Sequence, residues 1–388
     1  MAAEMDFDFA TDDEHFRRQL REFMAQTLPA DWQGICEPGT DALEVSNDFC
    51  AQLAQRGWLT QAWPAAYGGR DATIWRQAVL QEELWAHQEP RGSQYMNVNW
   101  IGPAIAHFGT DEQKQHFLPR LAAGDMRWGQ GFSEPDAGSD LAALRCAATP
   151  TDGGYTVTGQ KIWTSYGDLA DYCFLLCRTE AGSRRKQGLS VLLVDLSLPG
   201  ISVRPIETIF GPHRQNEIVF SEAFVPSAAL LGPEGDGWRV AMTALAFERS
   251  GSARYARSAR VLGLLEQLHG SDWGEQDDAQ FVRLLAFGRV AELMNYNVMA
   301  IKERDEVPGW QASAARIHNA LLEQEIADFT ESVAGIEAVL GGHDEAAPCN
   351  GEIESLWLNA PTGTVTSGAY EIQNSIVVRD GLGLEVSR

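Results

Sequence analysis

The chain is poor in the residues that usually mark metal, nucleic-acid or membrane chemistry. Its six cysteines, Cys36, Cys50, Cys146, Cys173, Cys177 and Cys349, are scattered and form no Cys-x-x-Cys pair. Cys173 and Cys177 fall in the apolar run DYCFLLCRTE, which predicts a core strand rather than a redox or metal site. Eight histidines supply no His-Glu-x-x-His and no His-Cys cluster at ligand spacing, so no metal is expected. Positive charge is also short: 30 Lys plus Arg stand against 54 Asp plus Glu, a formal charge of −24. That balance excludes a general nucleic-acid or anionic-membrane surface, although local donors can still hold a buried anionic cofactor. No apolar run reaches the roughly 18 residues that cross a bilayer. The acidic start MAAEMDFDFATDDEH has neither the basic nor the apolar part of a signal peptide, and a cytoplasmic location is the resulting expectation. A strand-GxGxxG-helix unit is missing too, which disfavours a nicotinamide enzyme of the Rossmann type.

What is present is an ordinary globular composition over 388 residues, 44% hydrophobic and 22% charged, enough for two or three packed regions. From Thr11 to about residue 126 the pattern is helical. Thr11 with Glu14 predicts a capping box, and Phe16, Leu20, Phe23 and Met24 then recur at helix spacing. Further helices are expected over Trp75 to Ala86 and Asp111 to Leu121, with breaks at Trp63-Pro64, Tyr67-Gly68-Gly69 and Gly102-Pro103. Between about Met126 and Gly235 the texture turns to β. Thr156 to Thr158, Cys173 to Cys177, Leu189 to Val194, Ile201 to Val203 and Ile218 to Phe220 are short β-rich runs, and Asp152-Gly153-Gly154 signals a hairpin before the first. Helical texture returns from Gly237 through Leu268 and again from about Gln280 to Val339, with a short terminal helix over Ile372 to Leu382. The order is helices, then a barrel or sandwich of strands, then helices.

Two segments at and inside the β region carry candidate chemistry. Phe132-Ser133-Glu134-Pro135-Asp136-Ala137-Gly138-Ser139-Asp140 combines two hydroxyls, a proline-set turn and a glycine, which exposes backbone N–H groups and short donors to a ligand. Gly159-Gln160-Lys161-Ile162-Trp163-Thr164-Ser165 sets a flat indole beside two more hydroxyls, a stacking wall with hydrogen bonds at its edge. Together they suit a flavin and a thioester.

With their neighbours these motifs resemble the acyl-CoA dehydrogenase family. WPAAYGG, GPAIAHFGTDEQKQHFLPRLAAGD, FSEPDAGSDLAAL, GYTVTGQKIWTS, FVPSAALLGPEGDGW, FER and EIQNSIVVRDGLGL occur in family order over nearly the whole chain. The resemblance implies an α+β protein: an N-terminal helical domain over 1–126, a central β-barrel or sandwich domain over 127–235, and a C-terminal four-helix bundle over 236–388 that packs subunits together. It implies FAD between the β and C-terminal domains, an acyl-CoA substrate, an electron-transfer flavoprotein as acceptor, and a homo- or hetero-oligomer. Carried over by position, Gln130, Phe132, Ser133, Trp163, Thr164 and Ser165 would line the flavin, joined by Gly368 and Glu371. Ser139, Arg249 and Arg379 would face the substrate.

The reaction so implied needs a carboxylate to remove the α-proton while a hydride leaves the β-carbon for the flavin. In many members that glutamate precedes a Gly-Thr pair near the C-terminus, but here the segment reads Thr366-Ser367-Gly368-Ala369, and serine cannot accept the proton unaided. Other members, including those acting on branched or steroid side chains, carry the base in a Glu-Arg pair on a C-terminal-domain helix. Glu248-Arg249 matches it. The neighbours Ala244, Leu245, Gly251 and Ser252 leave room beside the carboxylate. The Arg and Phe-Gly that homotetramers offer to a neighbouring flavin have no convincing equivalent in HGSDWGEQDDAQFVRLLAFGRVAEL, and Ala369 removes a further contact. Both departures resemble subunits of heteromeric dehydrogenases. The expectation is α,β-dehydrogenation of an acyl-CoA by FAD and Glu248. The alternatives are a non-catalytic half-site subunit and another flavin oxidase or monooxygenase on the same scaffold.

Overall fold

The computed structural model describes residues 9–34, 42–209, 211, 213–249, 253–269, 274–304, 306 and 308–385. The N-terminal region is helical: α1 (Thr11–Thr27), α2 (Ala42–Gln55), α3 (Ile74–Ala86), the single turn α4 (Gln94–Met96), α5 (Gly102–Phe108) and α6 (Asp111–Ala123). In α1 the apolar set Phe16, Leu20, Phe23 and Met24 is buried, as the spacing required. The capping box expected at Thr11 does not form. The helix starts on Ala10 without a side-chain cap, and Glu14 pairs with Arg17 at 3.3 Å instead. A complete box stands at α6, where Thr110 accepts from Gln113 N and Gln113 reaches back to Thr110 N. Gly102-Pro103 does not break the chain either. A π-helical turn over Asn97–Ile101 joins α4 to α5, and Pro103 follows directly on that wider turn.

The middle region is one mixed sheet of β1 (Trp128–Gly131), β2 (Ala147–Thr151), β3 (Gly154–Thr164), β4 (Tyr172–Arg178), β5 (Leu189–Asp195), β6 (Ile201–Pro205), β7 (Asn216–Pro226) and β8 (Leu230–Leu231). Its order is β6-β7-β3-β2-β4-β5-β8, with β1 parallel to β4. The hairpin forms where its turn residues stand: Thr151 pairs with Gly154 across Asp152-Gly153, and Gly153 adopts φ 76°. Strand β2 supplies the first arm of that hairpin, while β1 and β8 carried no β-rich run and were not expected. Cys173 and Cys177 are fully buried in β4, where burial pushes the Cys173 thiol up to about 12 and raises that of Cys177 well above its ordinary value.

The C-terminal region holds α7 (Gly237–Arg249), α8 (Arg254–His269), α9 (Glu275–Glu303), α10 (Trp310–Ala334), α11 (Glu352–Asn359) and α12 (Tyr370–Ile376). The run expected from Gln280 to Val339 is thus two helices, parted before Pro308-Gly309. A π-helical turn (Val377–Gly381) ends the chain's last helix. Among the described residues the apolar side chains form three large cores and a small fourth one, Val298 with Ala312 and Ala315, between α9 and α10. One joins the N-terminal helices to one face of the sheet and takes in Val240, Ala241 and Ala244 of α7. A second fills the other face of the sheet, and a third lies among α8 to α11. α7 is therefore wedged between the first two regions while its end points into the third. Among the described residues no helix is long and apolar enough to cross a membrane.

Candidate active site

The two ligand-cradle motifs are tied to each other by a buried ion pair. Glu134 accepts from Lys161 Nζ at 2.8 Å, from Arg145 N at 2.6 Å and from Cys146 N at 2.8 Å. Lys161 is fully buried, and it also donates to Phe132 O at 3.0 Å. A third tie runs from Ile162 N to Ser133 O at 2.9 Å. Because the Phe132–Ser133 peptide is planar and trans, fixing Phe132 O on the ammonium turns the Ser133 N–H the opposite way. Glu134 and Lys161 were not singled out from the sequence. For Lys161 the signal was parity, since it falls in the inward set of β3 with Tyr155 and Val157.

That parity should also bury Trp163, yet its indole is 56% exposed. The register between β3 and β7 slips between Lys161 and Thr164, and Trp163 adopts φ 63°. A bulge of this kind reverses the alternation, so Trp163 swings out as a flat wall and Thr164 swings in. Thr164 is fully buried, with its hydroxyl towards Gln130 O at 3.4 Å and its carbonyl accepting from Asn216 at 3.1 Å. Thr164 thus ties β3 to Gln130 and Asn216 from the inner face of the strand. Gln130 is oriented by Trp100, whose indole N–H donates to Gln130 Oε1 at 2.7 Å. Phe132 is buried, Ser133 and Ser165 are half-buried, and Ser139 is exposed.

The second cluster gathers where α7, α10 and the segment before α12 meet. Ser367 Oγ donates to Glu248 Oε1 at 2.5 Å, across 119 positions of sequence. The loop carrying Ser367 is clamped by Arg316 of α10, whose Nη2 donates to Gly363 O at 2.7 Å and Thr366 O at 2.9 Å. Burial holds the Arg316 guanidinium down at about 10, with Arg254 adding to the shift while Glu323 and Glu248 oppose it. Beside it, fully buried Glu323 pairs with Arg254 at 2.8 Å and with Arg257. Burial raises the Glu323 carboxyl, but the two guanidinium groups outweigh it and hold the group below the ordinary carboxylate range. None of Arg254, Arg257, Arg316 and Glu323 was anticipated, because each is read as a surface charge until the helices are assembled.

The remaining candidates are less central. Arg249 closes α7, but its side chain lies outside the described residues, as do Gly251 and Ser252. Gly368 and Glu371 are exposed on the segment that follows Ser367. Arg379 is exposed and forks onto neighbouring Asp380 at 2.7 Å through both Nε and Nη2.

Residues 10–125, 129–223 and 235–382 match the family models for the N-terminal, middle and C-terminal domains of acyl-CoA dehydrogenases. The acyl-CoA dehydrogenase IpdE1 of Mycobacterium tuberculosis is 33% identical over 382 residues, covering 96% of this chain and 98% of that protein. In the crystal structure of the ChsE4-ChsE5 complex from Mycobacterium tuberculosis, one chain superposes with a TM-score of 0.90 at 30% identity, over 99% of this chain and 100% of that one. The Tcur3481-Tcur3483 steroid ACAD gives a TM-score of 0.90 at 27% identity, over 99% and 100%. Members of this family are flavoproteins. The chain belongs to the acyl-CoA dehydrogenase family, and it is an oxidoreductase that dehydrogenates acyl-CoA thioesters.

Proposed function

We propose that the chain binds FAD and converts an acyl-CoA with a branched or bulky acyl group, such as a steroid side chain, to the trans-2-enoyl-CoA, with Glu248 as the base. The observation that carries this reading is the contact between Glu248 and Ser367. Those are the two positions at which the resemblance sets the base in different members, and here they converge on one point with only one carboxylate between them. FAD, when bound, accepts the hydride from the β-carbon. The outward-turned Trp163, the Ser133 N–H directed away from Lys161 and the oriented Gln130 fit such a group. Glu248 takes the α-proton, and the electron pair of the broken C–H bond becomes the new double bond as the hydride departs.

The bulky acyl group is favoured by the helix-borne base and by the steroid dehydrogenase named among the similar structures. A second acyl-CoA dehydrogenase-type chain as partner is favoured by the two-chain complexes that this fold matches, together with Ala369. An electron-transfer flavoprotein would take the electrons onward. The test is anaerobic titration of Glu248→Gln with short, branched and steroid-side-chain CoA esters, alone and with a co-expressed neighbouring dehydrogenase subunit. Flavin bleaching should vanish in the variant while flavin content stays. Bleaching that survives in Glu248→Gln sinks the assignment.

A further inference from the structure

Ser367 cannot serve as the base, but its backbone is unusual. It sits at φ 54°, in the left-handed region that non-glycine residues seldom adopt. Such a backbone persists where its surroundings over-determine it, and at functional sites it often forms part of the mechanism. Here Arg316 grips the carbonyls of Gly363 and Thr366, and Gln373 Nε2 donates to Ser367 O at 3.2 Å. The next residue, Gly368, adopts φ 93°, and a Cβ there would displace the Gln373 amide, which stands 2.3 Å away. With the backbone so fixed, the hydroxyl of Ser367 meets Glu248 Oε1 at 2.5 Å, the length of an O–H···O⁻ bond. Glycine would relieve the backbone and lose that bond.

We propose that Ser367 is a positioning residue for the base. Its hydroxyl takes up one oxygen of the Glu248 carboxylate, fixes the rotamer and favours the ionised form, the form that receives the α-proton. The inference rests on Glu248 being the base. No bond to Ser367 is made or broken in the reaction; the hydroxyl keeps its own proton throughout.

The test is the pH profile of kcat/KM for the flavin-loaded protein with ferrocenium as acceptor and the fastest-bleaching ester of the titration above. Ser367→Ala should move the acidic limb up by about one pH unit, because a hydrogen bond to a charged group is lost from the ionised form only. Turnover then falls about tenfold below the limb and at most a few-fold above it, with KM and flavin content unchanged. Ser367→Gly, which is at ease at positive φ, should shift the limb equally and so separates the hydroxyl from the strain. An unmoved limb in both variants, with Glu248→Gln inactive, overturns the positioning role and leaves the base in place. Retained bleaching in Glu248→Gln overturns the base itself.

Discussion

Replacing Lys161 with methionine should destabilise the protein through Glu134. The carboxylate is 8% exposed and keeps only the N–H groups of Arg145 and Cys146 once the ammonium is gone. Breaking a buried pair from one side costs about 3–5 kcal/mol, because the surviving charge stays in a poorly solvating interior. Unfolding entropy near 2.1 cal/mol/K per residue amounts to about 0.8 kcal/mol/K over a chain of this length, so the melting temperature should fall by roughly 4–6 °C. The assay is scanning calorimetry of flavin-stripped protein, which keeps ligand binding out of the midpoint. The double variant Lys161→Met/Glu134→Gln removes the stranded charge and should recover more than half of the loss. It should still bind FAD more weakly than the parent, because Phe132 O is no longer held and the Ser133 N–H is no longer aimed. A single variant that melts within a degree of the parent, or a double variant less stable than the single, would refute the reasoning.

Two further expectations follow from other buried charges. Glu323→Gln leaves Arg254 and Arg257 facing a neutral amide, which should cost about 3–5 kcal/mol and lower the urea midpoint with no change in slope; an unchanged midpoint would count against the pair as a structural anchor. Lys302 is pushed down to about 8 by burial alone, from an ordinary 10.5. The unfolded chain therefore holds the proton more tightly between those values, stability rises as pH climbs through that window, and the buried charge is a cost at neutral pH. Lys302→Met should stabilise the protein at pH 7 by about 1–3 kcal/mol and flatten the rise between pH 8 and 10.5, read as melting temperature against pH. A loss of stability at pH 7 would show that the ammonium has a compensating partner.

Much of the architecture was legible because it is locally encoded. The hairpin at Asp152-Gly153 follows from two residues, and the buried stripe of α1 from four. Local signals failed where two sites carried the same pattern. Thr11-x-x-Glu14 and Thr110-x-x-Gln113 both read as capping boxes, but Glu14 is drawn to Arg17 and only Gln113 closes its box. Gly102-Pro103 failed for a different reason: a proline in the first turn of a helix is locally indistinguishable from one that ends the previous helix, and the π turn that joins them has no side-chain signature. The candidate site divides in the same way. Motif order exposed the cradle and both base positions, Glu248 and Ser367, as separate alternatives. Their contact spans 119 positions and exists only because α7 is wedged between sheet and helices, which no local pattern contains.

The bulge in β3 has a bearing on how this cradle can change over time. The outward face of Trp163 is set by the number of residues between Lys161 and Thr164, not by tryptophan itself. Substitution can drift there from one flat side chain to another and keep a wall. Removing the extra residue would restore the strand's alternation with one outward position left between inward Lys161 and inward Thr164, and would take away the positive-φ turn that angles the indole. The slip in register is therefore the quantity to look for at this point, and identity the secondary one. A graft of residues 159–165 into another sheet should carry the slip in register with it, or it will deliver the right letters with the wall facing inward.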